Sequence, residues 1–339
     1  MIAKPSIEHL QGIIPKCNKD IKFWIGLYHL YGIHCYPHLG VDLVISLLPV
    51  QDGEICEFSP RLRALQISEY SWNSLINGYA KHGDPRNVLS LFHRMREDFL
   101  YPSGYAIVSV LKACAKLKAC KTGKEIHAHL LIQGLLGSNP FISTALVDMY
   151  AKCGMIAEAE EVFRMLPHRN TVSWNALIAG YVQCELSAKA IHCFRQMREQ
   201  GASPDAVTYA CIFKAFSRIE FSDVEASIGE FIHEIHAEVE RKGILYTNMV
   251  VGTCLVEMFV QWGMLAKAHE VFDNLPMRNV VVWTSLIGGY VQHDYCEEAL
   301  TCFQQMLQEG VDPDAITLAC ILKGCASIGA IVKGREIHA

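Results

Sequence analysis

The chain has 339 residues, of which 51% are hydrophobic and 19% charged, with a net charge of −5. This composition can bury a large core and excludes a predominantly disordered chain, and the negative charge argues against strong non-specific nucleic-acid binding. The longest apolar runs, such as Leu43–Leu48, are too short to cross a bilayer, so no membrane partner is expected. The 14 cysteines form no Cys-x-x-Cys pair, which predicts free thiols in a reducing compartment.

The first 68 residues do not fit the repeat that follows them. They hold six basic and six acidic residues and no arginine before Arg61. An organelle transit peptide is rich in arginine and poor in acids, so the targeting signal here is weak. Residues 1–68 are predicted to be a non-repeat leader or a degenerate repeat.

From residue 69 onward the sequence repeats itself. Successive copies of a Trp and of a Pro are separated by 102 and then 109 residues, at Trp72, Trp174 and Trp283 and at Pro102, Pro204 and Pro313. The seven extra residues of the second step fall near 222–228, which predicts an inserted loop or an extended helix there. Each step divides into three units, and the chain is cut at 69–103, 104–139, 140–170, 171–205, 206–248, 249–279, 280–314 and a partial 315–339. Such lengths predict an all-α solenoid of helical hairpins.

The spacing of apolar residues within one unit predicts two helices. In 171–205, positions 4, 7, 8 and 11 carry Trp174, Leu177, Ile178 and Tyr181, the pattern of a single buried stripe. Positions 5, 9 and 13 are then expected on the opposite, exposed face. A second apolar helix follows over 188–197, and Gly and Pro end the unit.

These motifs resemble pentatricopeptide repeats of the land-plant subclass that alternates three repeat lengths. The resemblance rests on VSWNALIAGYVQ (172–183), LVDMYAKCGMIAEAEEVFRMLPHRN (146–170), GKEIHAHL (123–130) and the 35/36/31 order, and it covers 69–339. Tetratricopeptide repeats are the nearest alternative, but they have a constant 34-residue period and a Trp-x-x-Leu-Gly-x-x-Tyr pattern. In this chain Ile and not Gly follows that Leu, and the period cycles through three lengths. The resemblance implies a right-handed superhelix that binds single-stranded RNA.

The resemblance further implies that each unit recognises one base through its position 5 and its last residue. Five units carry residue pairs that resemble the family's combinations for particular bases. They are Asn73 with Ser103 for cytosine, Thr144 with Asn170 and Thr253 with Asn279 for adenine, Asn175 with Asp205 for uracil, and Thr284 with Asp314 for guanine. Val108 with Asn139 and Ala210 with Asn248 depart from these types and leave their bases open. The implied RNA is C-?-A-U-?-A-G, read 5′ to 3′. An alternative for single Asn and Thr residues near a helix start is capping.

Two more positions are implied to contact RNA. The position-2 side chain is implied to pack on the base plane. The alternative is a hydrophobic staple, in which it packs at the start of its own helix. The residues at position 2 are Tyr70, Tyr105, Phe141, Val172, Val207, Val250, Val281 and Ile316. Position 13 would meet phosphates, with an ordinary solvated surface residue as the alternative; it is basic at Lys81, Lys116, Lys152 and Arg218.

No catalytic motif or cofactor site is predicted. His236-Ala237-Glu238 matches half of a zinc deaminase motif, but no Cys-x-x-Cys completes it, and a metal pair of His233 and His236 is disfavoured against a structural role. The sequence thus favours a monomeric RNA-binding adaptor for transcript editing, processing or stabilisation, which the family resemblance alone places in mitochondria or chloroplasts. The alternatives are a protein-binding scaffold and an enzyme whose catalytic domain is missing. Because the chain stops inside a unit at residue 339, a C-terminal truncation is expected, with any editing or processing partner acting through the missing part.

Overall fold

The computed structural model describes residues 69–136, 139–219 and 226–330, and all regular structure in these ranges is helical. The proposed leader (1–68), the first part of the proposed insertion (222–225) and the end of the partial unit (331–339) lie outside the described residues. The first helices are α1 Glu69–His82, α2 Pro85–Glu97, α3 Gly104–Leu117, α4 Cys120–Ile132, α5 Pro140–Lys152, α6 Ile156–Met165, α7 Thr171–Gln183 and α8 Ser187–Glu199. They are followed by α9 Ala206–Phe216, α10 Ala226–Arg241, α11 Ile244–Thr247, α12 Met249–Gln261, α13 Leu265–Asp273, α14 Val280–Gln292, α15 Cys296–Gln308 and α16 Ala315–Ser327.

The chain divides into two compact units, one ending at His129 and the other beginning at Leu130. In each unit the first helices of successive hairpins pack against one another, α1 against α3 in the first unit and α5, α7, α9, α12, α14 and α16 in order in the second. Helices α1, α5, α7, α12 and α14 also pack against the helix that follows them in the chain. The all-α expectation is therefore confirmed for the described residues. None of the described helices is long and apolar enough to span a membrane.

The first helix of each hairpin is held by the predicted apolar stripe. In α7, Trp174, Leu177, Ile178 and Tyr181 are all buried. The Trp174 ring meets Phe163 of the preceding hairpin edge to face, with ring centroids 4.7 Å apart, and Trp283 meets Phe272 in the same way at 4.5 Å. Such a pair adds about 0.5–1.5 kcal/mol beyond the burial of its area, so these contacts tie consecutive hairpins together.

Consecutive first helices approach closely at a glycine in position 10. A Cβ on Gly180 would lie 2.6 Å from the Ala151 Cβ of the preceding first helix, and one on Gly289 would lie 2.5 Å from Val260 Cγ1. Real Cβ atoms do not approach other atoms this closely. The glycine is therefore required by the short distance between consecutive first helices, which brings the first helices of neighbouring units side by side.

Candidate nucleic-acid interface

Each position-2 residue is an exposed apolar side chain. All eight lie outside the core, with exposed fractions between 49% for Val281 and 85% for Tyr105. Large apolar side chains exposed at the same place in every repeat are candidates for contact with a ligand. Their contact with RNA bases stays a prediction.

The position-5 side chains are more buried than the helical wheel predicts. Asn175 and Thr253 are each only 8% exposed, and Asn73, Thr144 and Thr284 are part-buried. The expectation that packing leaves position 5 free is wrong, because the next unit's first helix covers this side chain. The wheel considers one helix and cannot include that neighbour.

Asn175 and Asp205 form a direct hydrogen bond at the joint between α7 and α9. The Asn175 amide Nδ2 donates to Asp205 Oδ1 at 2.9 Å, and the Thr208 hydroxyl donates to Asn175 Oδ1 at 2.5 Å. Asp205 also caps α9, since its Oδ1 accepts the Thr208 backbone N–H at 2.9 Å. Partial burial tends to raise the pKa of Asp205, but the hydrogen bonds from Thr208 and Asn175 outweigh it and the pKa is lowered.

Thr284 and Asp314 are linked through a third residue, Thr317. The Thr284 and Thr317 hydroxyl oxygens lie 2.6 Å apart, and Thr317 donates both its hydroxyl and its backbone N–H to Asp314 Oδ1, each at 2.8 Å. Thr284 Oγ1 is also 2.7 Å from the Val280 carbonyl oxygen. The hydrogen bonds from the Thr317 backbone and hydroxyl lower the pKa of Asp314.

The remaining pairs are arranged differently. The Ser103 backbone N–H donates to Asn73 Oδ1 at 2.9 Å, so this pair is in contact. The Thr253 hydroxyl instead donates to the Met249 carbonyl at 3.0 Å, and Asn279 Oδ1 accepts the Val282 N–H as a helix cap. No hydrogen bond between described atoms joins Thr253 to its partner, and the same holds for the other adenine-type pair, Thr144 with Asn170.

Several last residues of units are helix caps, as the alternative interpretation anticipated. Beside Asp205, Asp314 and Asn279, the side chains of Asn139, Asn170 and Asn248 accept backbone N–H groups of the helix that follows. Capping uses one side-chain oxygen and leaves the other polar atom of each side chain available. Capping and base recognition are thus compatible at this position. Thr144 Oγ1, by contrast, is buried with no hydrogen-bond partner in the part of the chain that the structure describes.

The basic residues at position 13 differ in how they are held. Lys81 and Lys116 are exposed at the ends of α1 and α3. Lys152 pairs with Asp148 at 2.8 Å, and the Arg218 guanidinium donates to the Val182 carbonyl at the end of α7. Each of these last two would have to share its charge between a protein partner and a phosphate.

The two histidines considered as a metal pair have protein partners. His233 Nε2 lies 2.9 Å from Lys267 Nζ, and His236 Nε2 lies 3.4 Å from Glu240. Burial against α12 lowers the pKa of His236. Across the described residues, no group of three or more His, Cys, Asp or Glu side chains is placed to hold a metal ion.

Two residues of the site were missed by the sequence reasoning. Thr208 and Thr317 are fully buried, and each contacts both the position-5 side chain and the last residue of the preceding unit. The available signal was Asp-x-x-Thr at a helix start, which is the pattern of a capping box.

Comparison with known proteins identifies the repeat. A model described as "PPR repeat family" matches residues 169–218 and 278–327, and one described as "PPR repeat" matches 70–98 and 141–170. The chain belongs to the pentatricopeptide repeat family. These matches coincide with hairpins that begin at α1, α5, α7 and α14, so the family pattern recurs along the chain.

Relatives of this pentatricopeptide repeat protein occur in Arabidopsis thaliana. A chloroplastic pentatricopeptide repeat-containing protein is 36% identical over 268 residues, covering 79% of this chain and 32% of its own length. A second chloroplastic relative is 32% identical over 283 residues, covering 83% of this chain and 50% of its own. A further relative, named as mitochondrial, is 34% identical over 257 residues. The chain spans about a third to a half of the length of these relatives.

Solved structures agree on the fold. The crystal structure of the pentatricopeptide repeat protein PPR10 in complex with an 18-nt psaJ RNA element superposes with a TM-score of 0.68. It is 17% identical, and the match covers 99% of this chain and 50% of that one. This likeness shows that the pentatricopeptide repeat protein described here has the α-solenoid fold.

Proposed function

We propose that this pentatricopeptide repeat protein binds single-stranded RNA in a sequence-specific way, one base per unit, with the order C-?-A-U-?-A-G. The observation that carries the proposal is the pair of polar side chains at position 5 and at the end of each assigned unit. Their remaining hydrogen-bonding groups complement the assigned bases. The solved complex of PPR10, which has a similar fold, with an 18-nt RNA element supports RNA as the ligand. Exposed position-2 side chains next to these pairs supply apolar surfaces on which bases can stack.

The directions of the threonine hydrogens support the adenine assignment of unit 249–279 and the guanine assignment of unit 280–314. Thr253 donates its hydroxyl hydrogen to the Met249 carbonyl, so it can only accept from a base, while the Asn279 amide, whose oxygen caps α14, can donate. An acceptor beside a donor complements the N6 amine and N1 of adenine. In the next unit Asp314 replaces the amide with a second acceptor, and two acceptors complement N1–H and the N2 amine of guanine.

The pyrimidine assignments are supported in the same way. The Asn175 side-chain oxygen and one of its amide hydrogens already form hydrogen bonds, to Thr208 and to Asp205. One N–H donor is left beside the Asp205 Oδ2 acceptor. A donor beside an acceptor complements O4 and N3–H of uracil. In Asn73 only the side-chain oxygen forms a hydrogen bond, with the Ser103 backbone N–H. Both amide hydrogens can therefore donate to the O2 and N3 acceptors of cytosine.

The wider role we propose is that of an adaptor without catalytic activity of its own. It would select organellar transcripts for editing, processing or stabilisation, in agreement with the chloroplast and mitochondrial names of its relatives. The alternation of three unit lengths supports the land-plant subclass. The alternative function is a protein-binding scaffold, which would not need polar pairs in register between units.

A binding measurement on the 339-residue chain tests the proposal. We expect tighter binding to a single strand carrying C-N-A-U-N-A-G than to one with the five assigned bases permuted, measured by fluorescence anisotropy at one salt concentration. Equal binding to both strands would show that the pairs do not recognise bases, and would favour the scaffold.

A reciprocal pair of substitutions sharpens the test. Asn279→Asp should change the preference of unit 249–279 from adenine to guanine, and Asp314→Asn should change unit 280–314 from guanine to adenine. Asn and Asp are equally good caps, so folding is preserved. A preference that stays the same in both variants contradicts the assignment of the unit's last residue.

A further inference from the structure

Two buried threonines lie between the recognition residues of neighbouring units. Thr208 and Thr317 are the third residues of α9 and α16, and each hydroxyl is within hydrogen-bonding distance of both recognition side chains of the unit before it. Both follow a unit that ends in Asp. The five units that end in Ser or Asn are followed at this place by other residues, namely Ala106, Ile142, Ser173, Val251 and Val282.

We propose that Thr208 and Thr317 are positioning residues that fix the hydrogen-bond directions of the preceding unit's recognition pair. This inference rests on the proposed function, because it assigns the residues that make a pair specific. Base selection at a unit ending in Asp thus depends on a residue that belongs to the next unit.

Thr208 fixes the orientation of the Asn175 amide. Its hydroxyl oxygen accepts the Asp205 backbone N–H at 3.1 Å, and its hydrogen is directed to Asn175 Oδ1 at 2.5 Å. The opposite end of the amide donates to Asp205 Oδ1. A turned amide would place its oxygen against Asp205 Oδ1, and since a carboxylate only accepts, that contact would be repulsive. One N–H in a defined direction is left for a base.

Thr317 fixes the hydrogen of Thr284. The Thr317 hydroxyl donates to Asp314 Oδ1, so the Thr284 hydrogen is directed either to the Thr317 oxygen at 2.6 Å or to the Val280 carbonyl at 2.7 Å. In both arrangements the Thr284 hydrogen points into the protein and a lone pair is left for the base. Without the Thr317 hydroxyl, Asp314 Oδ1 loses one of its two hydrogen bonds and Thr284 keeps only the Val280 carbonyl as a partner. Both recognition side chains are then less restrained, and guanine loses part of its advantage over adenine.

Helix capping alone would predict a different outcome. The Thr208 and Thr317 backbone N–H groups cap their helices through Asp205 and Asp314, and valine at either position keeps that bond and the side-chain shape. A residue that acts only as a cap would change stability and affect all RNA sequences equally. A positioning residue changes the ratio between two bases at one place in the RNA.

The test uses the 339-residue chain and RNAs that differ only in the base facing unit 280–314. In Thr317→Val we expect the preference for guanine over adenine at that base to fall about threefold to tenfold, the value of one hydrogen bond, with the uracil preference of unit 171–205 unchanged. Thr208→Val should do the reverse, reducing only the uracil preference. Thr317→Ser retains the hydroxyl and should restore the guanine preference.

Ser173→Ala is the matched control, since the Ser173 hydroxyl at the same helix position donates to the Asn170 carbonyl and to neither recognition side chain. It should leave every base preference unchanged. If the unsubstituted chain discriminates and Thr317→Val and Thr208→Val discriminate equally well, the positioning role is overturned and the proposed function stands. If the unsubstituted chain does not discriminate, both are overturned.

Discussion

At the scale of single residues, exposure and hydrogen-bond direction decide what each side chain can offer. Tyr105 at position 2 and Phe99 in the turn after α2 are both highly exposed aromatics, at 85% and 98%. Tyr105 occupies position 2 of its unit, whereas Phe99 lies in the turn that closes the preceding hairpin. Under the proposed function, the place of an aromatic ring in the repeat, and not its exposure, decides whether it contacts RNA.

This difference gives a direct prediction. Tyr105→Ala should weaken RNA binding by about 1–3 kcal/mol, the contribution of one stacked base, without changing base preference. Phe99→Ala, which removes a ring of similar exposure at a place that does not recur as position 2, should have no effect. Anisotropy titrations with the same RNA compare the two. Equal losses from both would place position 2 outside the interface.

His236 gives a prediction on pH. Burial lowers its pKa, with Glu240, His233, Glu270 and Lys267 as the charged neighbours. A folded pKa below the unfolded value of about 6.5 means that its contribution to stability is complete above that pH and is lost as pH falls toward the folded pKa. The Tm should drop less steeply between about pH 7 and pH 5 in His236→Gln than in the unsubstituted chain. Parallel profiles in a thermal melt series would show that this histidine does not contribute.

Part of this residue-scale chemistry was predictable from the sequence. The exposed row at position 2 followed from helical periodicity, because helix geometry alone places Tyr105 or Phe141 away from the Trp stripe. The burial of Asn175 and the bridge through Thr208 were not predictable in this way. Both come from a residue 33 positions away that a second helix brings alongside, and a single-helix pattern contains no information on that contact.

At the scale of helices, the repeat depends on close contact between successive first helices. Gly180 and Gly289 occupy the same place in α7 and α14, and in each case a side chain would overlap the previous first helix. The sequence showed that this glycine recurs but not why. The reason is distance between helices and not backbone conformation, since the glycine lies inside a regular helix.

The neighbouring glycines of α14 test this explanation. Gly289→Ala places a Cβ 2.5 Å from Val260 Cγ1 and should destabilise the protein by about 1–3 kcal/mol. In Gly288→Ala the nearest atom is Cys320 Sγ at 3.6 Å, an ordinary contact, so the better helix propensity of alanine should stabilise by up to about 1 kcal/mol. Urea unfolding curves compare the two. Similar effects would mean that the helix-to-helix distance does not require Gly289.

At the scale of the whole molecule, charge limits how much affinity phosphates can supply. The net charge is −5, and of the four basic residues at position 13, Lys152 and Arg218 already have protein partners. Under the proposed function, specificity then comes chiefly from the pairs and the stacked bases. A chain of this kind is expected to bind its own sequence with modest affinity and to bind unrelated RNA poorly.

The salt dependence of binding measures this balance. One phosphate contact to a single strand contributes about 0.7 to the slope of log K against log salt, so four contacts give a slope of about −3. Lys81→Gln and Lys116→Gln should each reduce its magnitude by about 0.7. Lys189→Gln, which removes a lysine paired with Glu160 on a second helix, should leave the slope unchanged. A slope near zero in the unsubstituted chain would exclude phosphate contacts.

The bridge through Thr208 has a consequence for engineering. If the uracil-type unit is transplanted as residues 171–205, the segment ends at Asp205 and lacks the Thr208 hydroxyl that orients the Asn175 amide. Under the proposal made above, the portable segment runs from Thr171 through Thr208 and takes the first turn of the next hairpin with it. Splice points for recombining such arrays then belong after that turn, inside a helix, and not in the loop that separates one hairpin from the next.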